Sequence, residues 1–292
     1  MGGFVMSIKT VRTVRELRDI VRYWRGEGLS VGLVPTMGAL HLGHLSLVRA
    51  AEKMCDRVVV TLFVNPTQFG EDEDYSDYPR NEDQDRELVA AEGAHALFAP
   101  DVDEMYPGGS ITEVHVPGLD TVLEGEHRPG HFTGVATVVT KLLLQSQADH
   151  AFFGEKDYQQ LQVIKALARD LCIPTEIHGV RTVRESDGLA LSSRNRYLSD
   201  QERAIAPTLN AVLVQVAADF RDGGSGEDLC RAARAELKSA GFGPVDYVAI
   251  VDATTLQSVE SHDANRPARV LAAATLGRAR LIDNLPVDNM PV

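Results

Sequence analysis

V-G-L-V-P-T-M-G-A-L-H-L-G-H, residues 31–44, runs from a short apolar stretch into a segment, Leu45 to Met54, with the 3.6-residue spacing of a helix. Val31 to Val34 reads as a buried strand, so His41 and His44 fall at a strand-to-helix junction with Gly43 between them. A helix N-terminus offers unpaired N–H groups and a partial positive charge, which suit an anion such as phosphate. Imidazoles three apart at such a turn can point the same way and add donors. Gly38 and Gly43 let backbone approach a ligand closely. The residues alone leave three readings open: a nucleotide phosphate held by backbone and histidines, a plain helix cap, or a metal site.

Outward from this junction, apolar runs alternate with helical patterns. Val58 to Val64, Ala96 to Ala99, His150 to Phe153 and Thr175 to Val180 read as strands. Asp85 to Ala94, Thr133 to Gln147 and Asp157 to Leu171 read as helices. Strands separated by helices of this length predict an α/β fold, a Rossmann-like doubly wound parallel sheet covered on both faces. Ligands bind such sheets at the carboxyl ends of the strands, where the opening motif lies. Beyond about Thr182 the pattern changes to two helices, Ser199 to Phe220 and Gly226 to Ala240, joined by the turn Asp222 to Ser225. Three strands follow, Val245 to Val251, Ala268 to Ala274 and Ala279 to Ile282. The expected division is a nucleotide- and substrate-binding domain over residues 1–183 and a smaller C-terminal α+β domain over 184–292.

Composition narrows the class. The chain has 292 residues, 44% of them hydrophobic, enough for a real core. No run approaches ~18 apolar residues, so no membrane span is expected. Met1 to Lys9 lacks the pattern of a signal peptide. Three widely spaced cysteines, Cys55, Cys172 and Cys230, fit reduced thiols of a cytoplasmic protein and not a disulfide framework. A net charge of −13 would repel a polyanion, so nucleic-acid binding is not expected. A small anion needs only a local cluster of positive groups. The acidic run Glu71 to Asp77 reads as a solvated loop, or as a lid beside a strand end.

Four more stretches lie at expected strand ends or loops. Asn65 to Phe69 could hydrogen-bond a polar substrate, or serve as ordinary turn chemistry. Gly154 to Asp157 opens a helix bearing Gln159 and Gln160; Lys156 could meet a phosphate, or sit on the surface beside a cap. His127 to His131 could bring cationic groups near an anion, or form a plain turn. Ser192 to Arg196 groups two hydroxyls with arginine, a donor set for phosphate oxygens or a helix start.

Together these stretches closely resemble the pantothenate synthetase (pantoate–β-alanine ligase) family, within the nucleotidyltransferase superfamily that carries an H-x-G-H motif. The resemblance rests on P-T-M-G-A-L-H-L-G-H (35–44), F-V-N-P-T-Q-F (63–69), Y-P-R (78–80), F-F-G-E-K-D-Y-Q-Q-L (152–161) and D-G-L-A-L-S-S-R-N-R-Y-L (187–198). Members commonly carry Glu where Leu42 stands and often Met where Leu191 stands. The resemblance implies an ATP-dependent ligase that forms pantoyl-adenylate and pyrophosphate from pantoate and ATP. β-Alanine then gives pantothenate and AMP. It implies His41, His44, Lys156, Ser192, Ser193 and Arg194 as catalytic groups around the phosphates. The implied ATP site adds Pro35, Thr36, Met37, Gly43, Gly154, Asp157, Val183 and Leu191. The implied site for pantoate and β-alanine contains Met37, Asn65, Gln68, Arg128, His131 and Gln160. Asp85 aligns with a carboxylate linked to the metal or phosphates, with Mg²⁺ accompanying the ATP. It further implies a homodimer and a C-terminal domain that closes over the active site. The competing expectations are a nucleotidyltransferase that stops at nucleotidyl transfer and a non-catalytic nucleotide- or RNA-binding protein.

Overall fold

The computed structural model describes residues 8–70, 75–76 and 78–288. Residues 71–74 and 77 of the acidic run lie outside the described residues, and with them the choice between solvated loop and lid; so do residues 1–7 of the N-terminal stretch. Contacts divide the chain into two units. The first is Met1–Glu155 with Gln160–Arg181, and the second is Lys156–Gln159 with Thr182–Val292.

In the first unit the chain runs β1 (Lys9–Val11), α1 (Val14–Gly26), β2 (Val31–Thr36), α2 (Leu42–Met54), β3 (Arg57–Leu62), α3 (Glu82–Ala91) and β4 (Ala96–Phe98). Two short helices, α4 (Val102–Met105) and α5 (Glu124–His127), lead to α6 (His131–Ser146) and β5 (His150–Gly154). A 3-10 turn over Glu155–Asp157 opens α7 (Tyr158–Asp170), and β6 (Glu176–Val180) completes the sheet. The strand order is β1-β4-β3-β2-β5-β6 and every pairing is parallel. The chain steps outward from β2 through β3 to β4, then crosses to the other side of β2 at β5. The order therefore reverses between β2 and β5, and the crevice at their carboxyl ends is where doubly wound sheets bind ligands.

Both faces of this sheet are buried, and the strands alternate between two cores. Leu33, Val59, Phe98 and Phe153 pack with Leu17 of α1 and Val135 and Leu142 of α6. Val34, Val58, Val60, Leu97 and Phe152 pack with Leu45, Val48 and Ala51 of α2 and Val89 of α3. That two-sided burial is why the strands read as continuous apolar runs.

The second unit holds α8 (Asp200–Ile205), α9 (Thr208–Arg221), α10 (Gly226–Ser239) and an antiparallel sheet of β7 (Val245–Asp252), β8 (Ala268–Leu276) and β9 (Ala279–Pro286). Leu209, Leu213, Phe220 and Leu237 cover Val270, Ala272 and Ala274. The single helix expected over Ser199 to Phe220 is two. Pro207 stands between α8 and α9, where it has no N–H to continue the first and its fixed φ of −62° starts the second. Two further elements, β1 and α1, lie in a stretch with no expected structure. Lys156–Gln159 groups with the second unit because its hydrogen bonds go there: Asn284 Nδ2 donates to Lys156 O (2.8 Å) and Tyr158 Oη donates to Ala253 O (2.7 Å).

Candidate active site

The H-L-G-H turn is held from beneath. Thr36, the last residue of β2, donates through Oγ1 to Thr61 O on β3 (2.6 Å) and accepts from Gly38 N (3.3 Å). Gly38 has φ +88°, and a Cβ there would lie 2.8 Å from Leu62 Cδ1 and 3.0 Å from Asp85 Oδ2, so a side chain is excluded on both counts. Asp85 in α3 is 2% exposed, and its oxygens accept from Ala39 N (3.0 Å) and Leu40 N (2.9 Å). Burial pushes its carboxyl up from the usual aspartate range, against the opposing pull of those two N–H groups. Both oxygens of Asp85, the residue expected at the metal, are turned onto the backbone of this turn.

His41 is the N-cap of α2. Its Nδ1 accepts from Gly43 N (3.1 Å), and His44 Nδ1 accepts from His41 N (3.3 Å), a reciprocal capping box made of two imidazoles. A ring that accepts at Nδ1 carries its proton at Nε2, so the geometry fixes one tautomer for both. The rings lie 4.1 Å apart between centroids. Leu42 is 58% exposed on the first turn of α2.

A second cluster in the same unit gathers residues expected at pantoate. Gln68 Nε2 donates to Met37 Sδ (3.1 Å), and Gln68 Oε1 accepts from Asn65 Nδ2 (3.0 Å). Asn65 is 1% exposed and fully used. Its Nδ2 also donates to Gly134 O (3.2 Å), while Oδ1 accepts from Tyr106 Oη (2.7 Å) and from Thr67 Oγ1 (3.0 Å) and N (3.3 Å). The amide of Asn65, a residue expected at substrate, is spent on protein partners and holds Gln68 in place. His131 and Arg128 take a similar part. Gln68 O accepts from His131 Nδ1 (2.8 Å), which leaves Nε2 to accept from Arg128 Nη1 (3.1 Å). Gly134 permits this assembly, since a Cβ there would fall 2.3 Å from Thr67 O. Gln160 is half-buried in the first turn of α7. Gly154 closes β5 at the strand-order reversal.

In the second unit, Lys156 has a side chain 19% exposed, with Nζ 3.9 Å from Asp157 Oδ1. Its backbone is fixed by Asn284, itself 2% exposed and accepting from Arg269 Nε (2.6 Å). A hairpin places Leu191 N on Val183 O (3.0 Å), and Ser192 Oγ caps the 3-10 turn Ser193–Tyr197 by accepting from Arg194 N (3.2 Å). Arg184 clamps this hairpin to β9 with two bonds to the buried Asp283 (2.7 and 2.8 Å). Lys156, Ser192 and Asn195 line one narrow crevice with Asn210 and Asp283. The struts Asn284, Asp283, Arg184, Tyr106 and Thr61 were not legible in sequence. Their partners are far away along the chain and no local motif marks them.

A model of the family described as pantoate-beta-alanine ligase matches residues 9–286. The chain belongs to the pantoate–β-alanine ligase family. It is 56% identical to the pantothenate synthetase of Paramagnetospirillum magneticum over 97% of this chain and 99% of that protein. Its fold superimposes on the crystal structure of pantothenate synthetase from Thermus thermophilus with a TM-score of 0.87, at 48% identity and 96% and 99% coverage of the two chains. The family member from Francisella tularensis, crystallised with beta-gamma ATP and beta-alanine, matches with a TM-score of 0.81 and 34% identity, covering 98% of this chain and 100% of that one.

Proposed function

We propose that this chain condenses pantoate with β-alanine at the expense of ATP, releasing AMP and pyrophosphate. The observation that carries the reading is the imidazole pair capping α2 at the carboxyl end of β2, on the strand where the sheet order reverses, in a chain that matches the ligase family almost end to end. In the first step a pantoate carboxylate oxygen bonds to the α-phosphorus and the bond to the β-phosphate oxygen breaks. Pantoate is ionised at pH 7, so no general base is required. The task is to align two anions and offset their charge.

His41 and His44 serve as Nε2–H donors to the phosphates, with the N–H groups of α2 beside them. Gln68, Met37 and Gln160 hold pantoate, and Asn65, Arg128 and His131 act through Gln68. Within the second unit Lys156, Ser192, Ser193 and Arg194 meet phosphate charge. Pro35, Thr36, Gly43, Gly154, Asp157, Val183 and Leu191 complete the ATP contacts. Mg²⁺ enters as part of the nucleotide substrate. It would offset phosphate charge there, while Asp85, bonded to Ala39 and Leu40, serves the turn. In the second step the neutral amine of β-alanine attacks the acyl carbon. The bond from that carbon to the oxygen bridging to phosphorus breaks, AMP leaves with the bridging oxygen, and the amine proton goes to solvent. Cytoplasmic residence is supported by three free thiols, and among the described residues no helix is long and apolar enough to cross a membrane. The family resemblance supports a homodimer.

The test is ATP–pyrophosphate exchange. Exchange that needs pantoate but not β-alanine is expected, followed by AMP release when β-alanine is added. Absence of exchange with pantoate and MgATP present would sink the proposal.

A further inference from the structure

His150 begins β5 and Glu176 begins β6, directly opposite it in the sheet. His178, two residues on, lies on the same face as Glu176, beside Phe152. Three side chains therefore converge at the amino ends of these strands, away from the carboxyl ends that carry the proposed chemistry. His150 Nδ1 stands 3.0 Å from His178 Nε2 and 3.4 Å from Glu176 Oε2, and His178 Nε2 stands 3.8 Å from Glu176 Oε1. Among the described residues, these are the one group of three histidine, cysteine or carboxylate side chains so close together.

We propose that His150, Glu176 and His178 form a binding site for a divalent transition-metal ion of the zinc class, tying the edge strand β6 to β5. Nitrogen and oxygen ligands about 2.0–2.1 Å from a tetrahedral zinc ion lie about 3.3–3.4 Å from one another. The three observed separations, 3.0, 3.4 and 3.8 Å, bracket that spacing, so the ion fits with shifts of a few tenths of an ångström. Two imidazoles and a carboxylate suit zinc, nickel or copper and not magnesium or calcium, which prefer oxygen alone. The ring of His178 is stacked on Phe152 at 5.0 Å and 20° between planes, which restrains its orientation. The histidine side chains are 24% and 19% exposed and that of Glu176 is 66% exposed, so an ion has an entry path and a fourth position remains for water. In the absence of the ion one imidazole must donate to the other; binding moves that proton to the far nitrogen of its ring.

The experiment is zinc titration of the full-length protein, with stoichiometry by elemental analysis after desalting and a parallel thermal melt. One zinc per chain at micromolar concentrations and a raised Tm are expected. His150→Gln and His178→Gln should abolish stoichiometric binding and the Tm rise. Glu176→Gln, at an exposed position where folding is safe, should weaken binding about 10-fold or more. A His41→Asn/His44→Asn variant should bind zinc as the parent does. X-ray absorption should show a shell of nitrogen and oxygen without sulfur. No binding by the parent, unchanged binding in the His178→Gln and Glu176→Gln variants, or loss confined to the His41→Asn/His44→Asn variant would each overturn the assignment.

Discussion

Replacing Asp85 with Asn separates a turn anchor from a metal ligand. Each oxygen of Asp85 accepts one backbone N–H, from Ala39 at 3.0 Å and Leu40 at 2.9 Å. Hydrogen bonds to a charged group contribute roughly 1.5–3 kcal/mol each, but a buried carboxylate also loses hydration. The upward displacement of the Asp85 carboxyl means that lost hydration outweighs the two bonds. Asparagine keeps one acceptor, turns an NH₂ group toward the other N–H, and removes the buried charge. The net loss should therefore be about 1–2 kcal/mol, well under the sum of two charged bonds. The functional loss should be larger. The Ala39–Leu40 turn delivers His41 to its cap position, and a displacement of about 1 Å can cost about 10²-fold in rate.

Urea denaturation and ATP–pyrophosphate exchange, run on both proteins, give the two numbers. A pH series adds a sign. A carboxyl raised in the folded state confers stability that is full below its unfolded value and lost as pH rises through the folded one. The stability advantage of the parent over Asp85→Asn should thus shrink as pH climbs above the ordinary aspartate range. An advantage that grows with pH would overturn that sign and mean that the two N–H bonds outweigh the lost hydration. A variant of unchanged stability that merely needs more Mg²⁺ for exchange, which is the behaviour of a lost metal ligand, would refute the turn-anchor reading.

Gly38→Ala meets both a φ of +88° and a contact 2.8 Å from Leu62. It should lose about 1–3 kcal/mol in chemical denaturation, and a loss below about 0.5 kcal/mol would show that the turn relaxes freely. Asn65→Asp puts a carboxylate oxygen against the Gln68 and Gly134 carbonyl oxygens. Its stability should fall as pH rises through the carboxyl's raised value, with KM for pantoate raised in exchange assays; a flat pH response would count against the network. Lys156→Ala removes a partly buried cation whose Nζ is 3.9 Å from Asp157. Stability should change by less than about 0.5 kcal/mol while exchange drops about 10²–10³-fold, and equal losses in both would make Lys156 structural.

The elements legible in sequence are those whose information is local. The buried strands β2, β3 and β5 are continuous apolar runs, and the 3.6-residue period marks α2 and α6. Helix α1 was missed because only Leu17 and Val21 of its residues are fully buried, so its pattern is mostly charge; the Thr13–Glu16 capping box was the available sign. The break at Pro207 was also available, and the apolar spacing running through it hid it. Site residues divide along the same line. His41 and His44 announce themselves because their positions are set by a turn. Asn65, Arg128 and His131 carry polar groups in the right neighbourhood, yet whether such a group meets a ligand or another side chain depends on partners 2 to 69 residues away.

The network around Gln68 explains why so many polar residues surround one glutamine side chain. A glutamine side chain has three rotatable bonds, and holding it in one conformation costs up to about 2 kcal/mol of rotamer freedom. Here its two amide atoms meet Met37 and Asn65, and its own carbonyl meets His131. The freedom is surrendered when the protein folds, so binding need not supply it. Asn65 can perform this office only because Tyr106, Thr67 and Gly134 satisfy the rest of its amide in a site closed to water. Truncating Tyr106 or Thr67 should therefore show in KM for pantoate and leave the affinity for ATP unchanged. A variant of Tyr106 to Phe, which deletes one oxygen and little volume, is the mildest form of the test. It leaves Asn65 Oδ1 with the Thr67 donors alone, and a KM for ATP that moved as far as that for pantoate would disprove the division of labour.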